Sequence, residues 1–198
     1  MKKAWLLPVL ALVCFFASPA QATTITFAAI LNGASESPPN ASPGTGTARV
    51  TIDTVANTMR VEVAFANLLT TGSGTSASHI HCCTAAPFTG TAGVATATPT
   101  FPGFPLGVRS GTYDMTFDLG AASTYNPAFV AMFPNVPAAE AGFLAGMFAN
   151  ETYLNIHSGQ IPGGEIRGFL QAVPEPTTIS LLGIGLGALV RSVRRRTT

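Results

Sequence analysis

The strongest constraint on this chain is a period of two. Met59, Val61, Val63 and Phe65 interleave with Arg60, Glu62 and Ala64, and Ala48, Val50 and Ile52 interleave with Arg49, Thr51 and Asp53. Tyr113, Met115, Phe117 and Leu119 alternate in the same way with Thr112, Asp114, Thr116 and Asp118. Successive side chains of a strand point to opposite faces, so each run puts its apolar set on one sheet face and its polar set toward water. Thr54-Val55-Ala56-Asn57 joins the first two runs as a hairpin connection. Further strands are expected at residues 24–31, 76–82, 152–157 and 165–172. Seven or so short strands with turn-rich connections describe an all-β sandwich or Greek-key barrel.

Two segments depart from this alternation. Asn126-Pro127 has the form of an N-cap followed by proline at the first helical position, which opens a short helix through Phe133. Residues 137–149 carry Phe143 and Met147, then Leu144 and Phe148, at four-residue spacing, as a helix packed over one end of the sheet does. Residues 87–107 are rich in Thr, Gly and Pro and are expected to form a long loop with irregular strand character.

Both ends lie outside this domain. Lys2 and Lys3, an apolar run over residues 4–17 and the small-x-small site Ala20-Gln21-Ala22 make residues 1–22 a secretory signal peptide, removed by signal peptidase to leave Thr23 first. At the other end Val173-Pro174-Glu175-Pro176 precedes an apolar stretch over residues 179–190 and then Arg191, Arg194, Arg195 and Arg196. Arginines flanking an apolar segment stay cytoplasmic, so the domain faces outward. The stretch is short for a span of about 20 residues and holds Gly183, Gly185 and Gly187, which suits a temporary membrane anchor within a tail of residues 173–198. Residues 23–172 remain as one domain of ordinary size.

Charge narrows the partners. Of ten basic residues, six belong to the two ends, leaving Arg49, Arg60, Arg109 and Arg167 against eight of the nine acids, so the domain carries 4 − 8 = −4. This argues against binding to nucleic acid or anionic lipid through bulk charge. No Gly-x-Ser-x-Gly elbow and no phosphate-binding loop is present, so nothing points to nucleophilic catalysis, and the chain is expected to be no enzyme.

The chemistry-bearing residues are few. His79 and His81, two apart on an expected strand, share one face while Ile80 takes the other, and His157 shares a face with Asn155 and Tyr153. These are all the histidines of the chain. If their strands are neighbours, three imidazoles converge, a ligand set compatible with zinc or copper. The alternative is structural: imidazoles bonded to backbone groups or to a carboxylate such as Glu165, holding the turn at Pro162 to the sheet. Glu165 and Arg167 are expected as an exposed pair on one strand face, and Glu36, beside Pro38-Pro39, in a surface turn. Cys82 and Cys83 are the only cysteines after the signal segment. They are expected at the exposed lip of their strand, as a vicinal disulfide or as a trap for an external thiol or metal.

Three motifs in order then give a resemblance. Ile30-Leu31-Asn32-Gly33-Ala34-Ser35-Glu36-Ser37-Pro38-Pro39 with Gly44-Thr45-Gly46-Thr47-Ala48, Ser78-His79-Ile80-His81, and Tyr153-Leu154-Asn155-Ile156-His157 with Pro162-Gly163-Gly164-Glu165-Ile166-Arg167-Gly168 resemble the chordin-type (CHRD) domain over about residues 25–171. The resemblance implies an immunoglobulin-like β-barrel related to copper-zinc superoxide dismutases. The cysteine pair directly after the histidines departs from the common bacterial pattern. Three histidines are too few for a binuclear dismutase centre, so superoxide chemistry does not follow from the likeness. Pro174, Glu175 and Pro176, the apolar stretch and Arg194, Arg195 and Arg196 resemble the PEP-CTERM sorting signal of Gram-negative bacteria. That signal implies processing by an exosortase and passage from the periplasmic face of the inner membrane to the cell surface or matrix. The resulting expectation is a non-enzymatic surface module that binds exopolysaccharide or surface proteins; the alternative is a mononuclear copper or zinc domain, redox-active in the copper case.

Overall fold

The structure is a computed structural model, and it describes residues 24–69 and 74–174. The signal segment 1–22 and the tail residues Glu175, Pro176, Arg194, Arg195 and Arg196, with the apolar stretch 179–190, lie outside the described residues. Eight strands form one antiparallel sheet that curls on itself as a half-barrel: β1 (Thr24–Asn32), β2 (Thr45–Asp53), β3 (Thr58–Ala66), β4 (Thr75–His81), β5 (Gly111–Asp118), β6 (Tyr153–Ser158), β7 (Ile166–Phe169) and β8 (Gln171–Ala172). The order across the sheet is β4-β6-β7-β1-β2-β3-β5, with β8 paired to β1. Among the described residues no helix is long and apolar enough to cross a membrane.

The alternating runs produce this sheet directly. β2 and β3 pair from Thr45↔Ala66 to Asp53↔Thr58 across the four-residue connection, in which the Asp53 carboxylate accepts from the backbone N–H of Val55 and Ala56 at 2.9 and 2.8 Å. Their inward set, Val50, Ile52, Met59, Val61 and Phe65, is buried with Phe27 and Leu31 of β1 and Phe117 of β5. The expected strand over residues 165–172 is instead two: after β7 the chain breaks at Leu170, whose N–H turns to Thr152 O, and β8 continues alongside β1.

Helix α2 (Val136–Phe148) covers the open end of the core. Asn135 caps it through the N–H of Ala138, Pro137 lies in its first turn, and Ala139, Phe143, Gly146 and Met147 face inward. α1 (Pro127–Val130), capped by Asn126, is shorter than the segment to Phe133 that the sequence suggested. After it Met132 and Phe133 donate to Phe129 O and Val130 O in tighter turns, and the helix does not resume before Pro134.

The long loop after β4 is a structural element in all but hydrogen-bond pattern. It runs beside the outer edge of β4 and satisfies that edge: Ala95 and Phe101 donate to Ile80 O and Ser78 O, and the hydroxyls of Thr96 and Thr100 accept from the N–H of Ile80 and Ser78. An edge strand left bare would offer these groups to another chain. The loop also covers the outer face of β4 and β6, so that β6 is buried along its whole length. The site lies in this doubly covered corner.

Candidate metal centre

β4 and β6 are antiparallel neighbours with His79 opposite Asn155, His81 opposite Tyr153 and Ala77 opposite His157. This register sets His157 diagonally across from His79, on the same face. The inward alternates Ile80, Leu154 and Ile156 are fully buried in the core and fix which face the histidines take. Ring centroids are 4.7 Å apart for His79 and His157, 4.9 Å for His79 and His81, and 5.9 Å for His81 and His157. Their exposures are 6%, 8% and 9% for His79, His81 and His157, so the cluster is buried but reaches the surface.

The hydrogen bonds assign the protons. Nδ1 of His81 lies 2.8 Å from Ala92 O, and Nδ1 of His157 lies 2.8 Å from Pro162 O. His79 lies beside the backbone of Pro99, whose carbonyl favours a proton on the facing ring nitrogen. A carbonyl accepts, so the rings of His81 and His157 each use their single N–H on the backbone, and the other nitrogen of each is a bare lone pair. Nδ1 of His79 and Nε2 of His81 and His157 are buried and without a partner. One ligand atom from each ring lies within 4.8 Å of the others. At metal–nitrogen distances of about 2.0–2.1 Å two ligands of one ion are at most about 4.2 Å apart, so closure needs ring movements of under about 1 Å.

Electrostatics favours neutral rings. Burial lowers the pKa of His79 to about 3, with the neighbouring histidines adding to the effect, and that of His81 to about 4, against the bond to Ala92. Burial lowers His157 as well. Neutral imidazole is the form that binds metal.

A second layer holds His81. Its ring stacks on Tyr153 at 4.6 Å and 7°, and the guanidinium of Arg167 also lies over the Tyr153 ring, at 4.6 Å. Tyr153 reaches the backbone of Ala92, whose carbonyl also takes the His81 proton. Arg167 donates to Ser35 O at 2.5 Å and Gly90 O at 3.0 Å, tying the segment after β1 and the long loop to β7.

Three expectations are corrected here. Glu36 is not in a surface turn: it is 7% exposed, 3.7 Å from Arg167, and burial outweighs that cation and raises its pKa to about 7. Glu165 and Arg167 are not an exposed pair. Both are buried, and Glu165 instead accepts from the Ser42 hydroxyl at 2.6 Å and the Leu69 N–H at 2.5 Å. The two cysteines do not share the lip of the strand: Cys83 is exposed, whereas Cys82 is 3% exposed and part of the core. Their sulfurs are joined as a vicinal disulfide seated on Gly146 of α2, where any Cβ would collide with both.

The sequence pointed to the three histidines and to Tyr153 and Asn155 as face partners. The structural alternative named the turn at Pro162, and His157 does bond Pro162 O there. The sequence could not point to the backbone of Ala92 or Pro99, because backbone acceptors in irregular loops leave no residue signature. Pro174, the first residue of the sorting triplet, is exposed where the described chain ends, beyond the N–H of Val173 bonded to Thr26 O.

Residues 27–170 match the CHRD domain, a span that includes the sheet core, α2 and all three histidines. The chain belongs to the CHRD domain family. Residues 172–196 match the PEP-CTERM protein-sorting motif. The CHRD protein is therefore exported across the inner membrane and processed by an exosortase, its sorting partner, for surface or extracellular localisation. No curated protein and no solved structure matches the chain.

Proposed function

We propose that the exported CHRD domain is a non-enzymatic surface module that holds one copper or zinc ion on His79, His81 and His157. The observation that carries this reading is the convergence of three buried, unpartnered ring nitrogens, with the rings of His81 and His157 each anchored through the other nitrogen on a backbone carbonyl. Metal-binding histidines characteristically fix their tautomer and orientation by that second bond. A purely structural role accounts for one nitrogen of each ring and leaves the other buried and unpaired, at about 1–3 kcal/mol each. Three imidazoles without a carboxylate or thiolate suit copper or zinc over magnesium or calcium, which take oxygen ligands.

X-ray absorption of the full chain loaded with one equivalent of zinc or of copper tests the ligand set. Three imidazole nitrogens at about 2.0–2.1 Å are expected for zinc. A shell of oxygen alone for both metals overturns the reading.

A matrix-binding role has one observation in its favour. On the outer face of β1, β2 and β3 lies an open groove of about 1000 Å³, lined among the described residues by Ile30, Arg49, Glu62, Asp114, Phe169 and Gln171, with Ile30 74% exposed. Exopolysaccharide retained on immobilised protein, and lost on Ile30→Asp, would support it; equal retention would not. In the same scheme signal peptidase removes residues 1–22, and residues 179–190 hold the precursor at the membrane for exosortase.

A further inference from the structure

The vicinal cysteines follow His81 without an intervening residue, at the junction of three elements that meet beside the histidine cluster. The N–H of Cys82 donates to Gly93 O, next to the Ala92 carbonyl that orients the His81 ring. The N–H of Thr84 donates to Glu151 O, just past the end of α2. Beneath the sulfurs lies Gly146, close enough that even a methyl group there would overlap both of them. The sulfur of Cys82 is enclosed by the core, while Cys83 is exposed.

We infer that Cys82–Cys83 is a thiol-exchange site whose redox state controls metal affinity at the adjacent histidines; this rests on the metal-centre reading above. The accessible sulfur is that of Cys83. An external thiolate attacks it, the Cys82–Cys83 sulfur bond breaks, a mixed disulfide forms on Cys83, and Cys82 leaves as a thiolate that takes a proton. A second external thiol attacks the mixed disulfide, releases Cys83 as a thiol and departs as the oxidised external disulfide. Two electrons and two protons are thereby transferred to the protein from a dithiol or from two molecules of a monothiol.

Packing links this exchange to the metal. Two bonded sulfurs approach far more closely than two thiols can, and the seat on Gly146 has no spare room. On reduction the sulfurs must separate. The Cys82 sulfur is confined by the core, so the separation is taken up by Cys83 and by rotation of the backbone of both residues, which strains the Thr84–Glu151 and Cys82–Gly93 bonds. The segment from Ala92 to Gly93 then shifts, and with it the carbonyl that holds the His81 proton and aims its Nε2. Loss of such an outer partner weakens metal binding about 10–100-fold. The disulfide form is the one favoured outside the inner membrane, where exported thiols are oxidised. The oxidised protein is accordingly the metal-holding form, and a reducing partner releases the ion.

The test titrates zinc into the full chain in detergent, first as the disulfide form and then after phosphine reduction and anaerobic removal of the reductant, with circular dichroism on both. Stoichiometric binding by the disulfide form and at least about tenfold weaker binding by the reduced form, with the β-sheet spectrum retained and no sulfur ligand in the zinc X-ray absorption of the reduced form, is the expected result. Capture of zinc by the freed thiolates, read as sulfur ligands, overturns the switch. Equal affinity in the two forms overturns the switch and leaves the metal centre intact. Absence of zinc binding by the disulfide form overturns the metal centre and the switch together. A reduced form that loses its sheet spectrum overturns local control. The variant Cys82→Ala/Cys83→Ala, which fits beneath α2 without sulfur, should bind zinc like the disulfide form and ignore the reductant. An affinity about tenfold weaker in this variant would show that the disulfide acts by some route other than crowding, and would also overturn the inference.

Discussion

Replacing His79 with leucine should separate a metal ligand from a structural histidine by the sign of its effect. In the metal-free protein His79 lies beside the Pro99 carbonyl and has one buried nitrogen with no partner. Pro99 is exposed, so water can take over its carbonyl when the imidazole is removed. Loss of the contact with that carbonyl costs at most about 0.5–1.5 kcal/mol, while removal of the orphaned Nδ1 relieves about 1–3 kcal/mol. His79→Leu without metal should therefore unfold at a temperature equal to that of the parent or a few degrees above it. At a hundredfold excess of free metal over its dissociation constant the parent gains about 2.7 kcal/mol and the variant gains little. The order of stability inverts between chelator and metal. Thermal unfolding followed by circular dichroism, in chelator and in zinc, reads both arms. A variant about 2 kcal/mol less stable in chelator, with no gain by the parent in zinc, would refute the reasoning and restore a structural histidine.

Acidification should destabilise the metal-free domain between pH 6.5 and about 4.5. His79 and His81, lowered to about 3 and 4, stay neutral when folded while the unfolded chain takes up protons, at about 1.4 kcal/mol per pH unit for each group. Glu36, raised to about 7, acts in the opposite direction, since the folded state binds its proton first, but one carboxyl does not offset the histidines; a urea midpoint that rises on acidification would contradict this. Phe143→Ala in α2, a fully buried ring packed against Tyr125 and Phe129, should cost about 3–5 kcal/mol in chemical unfolding, and a cost under about 1 kcal/mol would deny that α2 closes the core. Mass spectrometry of surface-located protein should find a C-terminus near residues 173–177, and recovery of Arg196 there would contradict tail removal.

Much of the fold was legible because alternation is a local signal. The runs that became β2, β3 and β5 needed no tertiary information, since one face of each meets the core and the other meets water. The same rule misled at the sheet's other end. β6 is buried on both faces, and Glu36, Glu165 and Arg167 are buried with it, because the loop after β4 and the segment after Gly33 fold over the outer face. Composition marked that loop as irregular but carried no sign that it would act as a second layer. His79 and His81 could be assigned a shared face from their spacing. Their meeting with His157 depended instead on the pairing of β4 with β6, strands separated in the chain by the long loop, β5 and both α-helices, and no sequence period encodes that pairing. The split exposure of Cys82 and Cys83 has the same origin, for it is Gly146, remote in sequence, that makes the seat for their sulfurs.

The most direct test of the account is the zinc and copper stoichiometry of the full chain, measured by calorimetric titration and elemental analysis at neutral pH, beside a variant with His79→Gln, His81→Gln and His157→Gln together. The account predicts one ion per chain at micromolar protein, retained by the parent and absent from the triple variant. Binding of less than one ion by the parent, or equal binding by parent and variant, would contradict it.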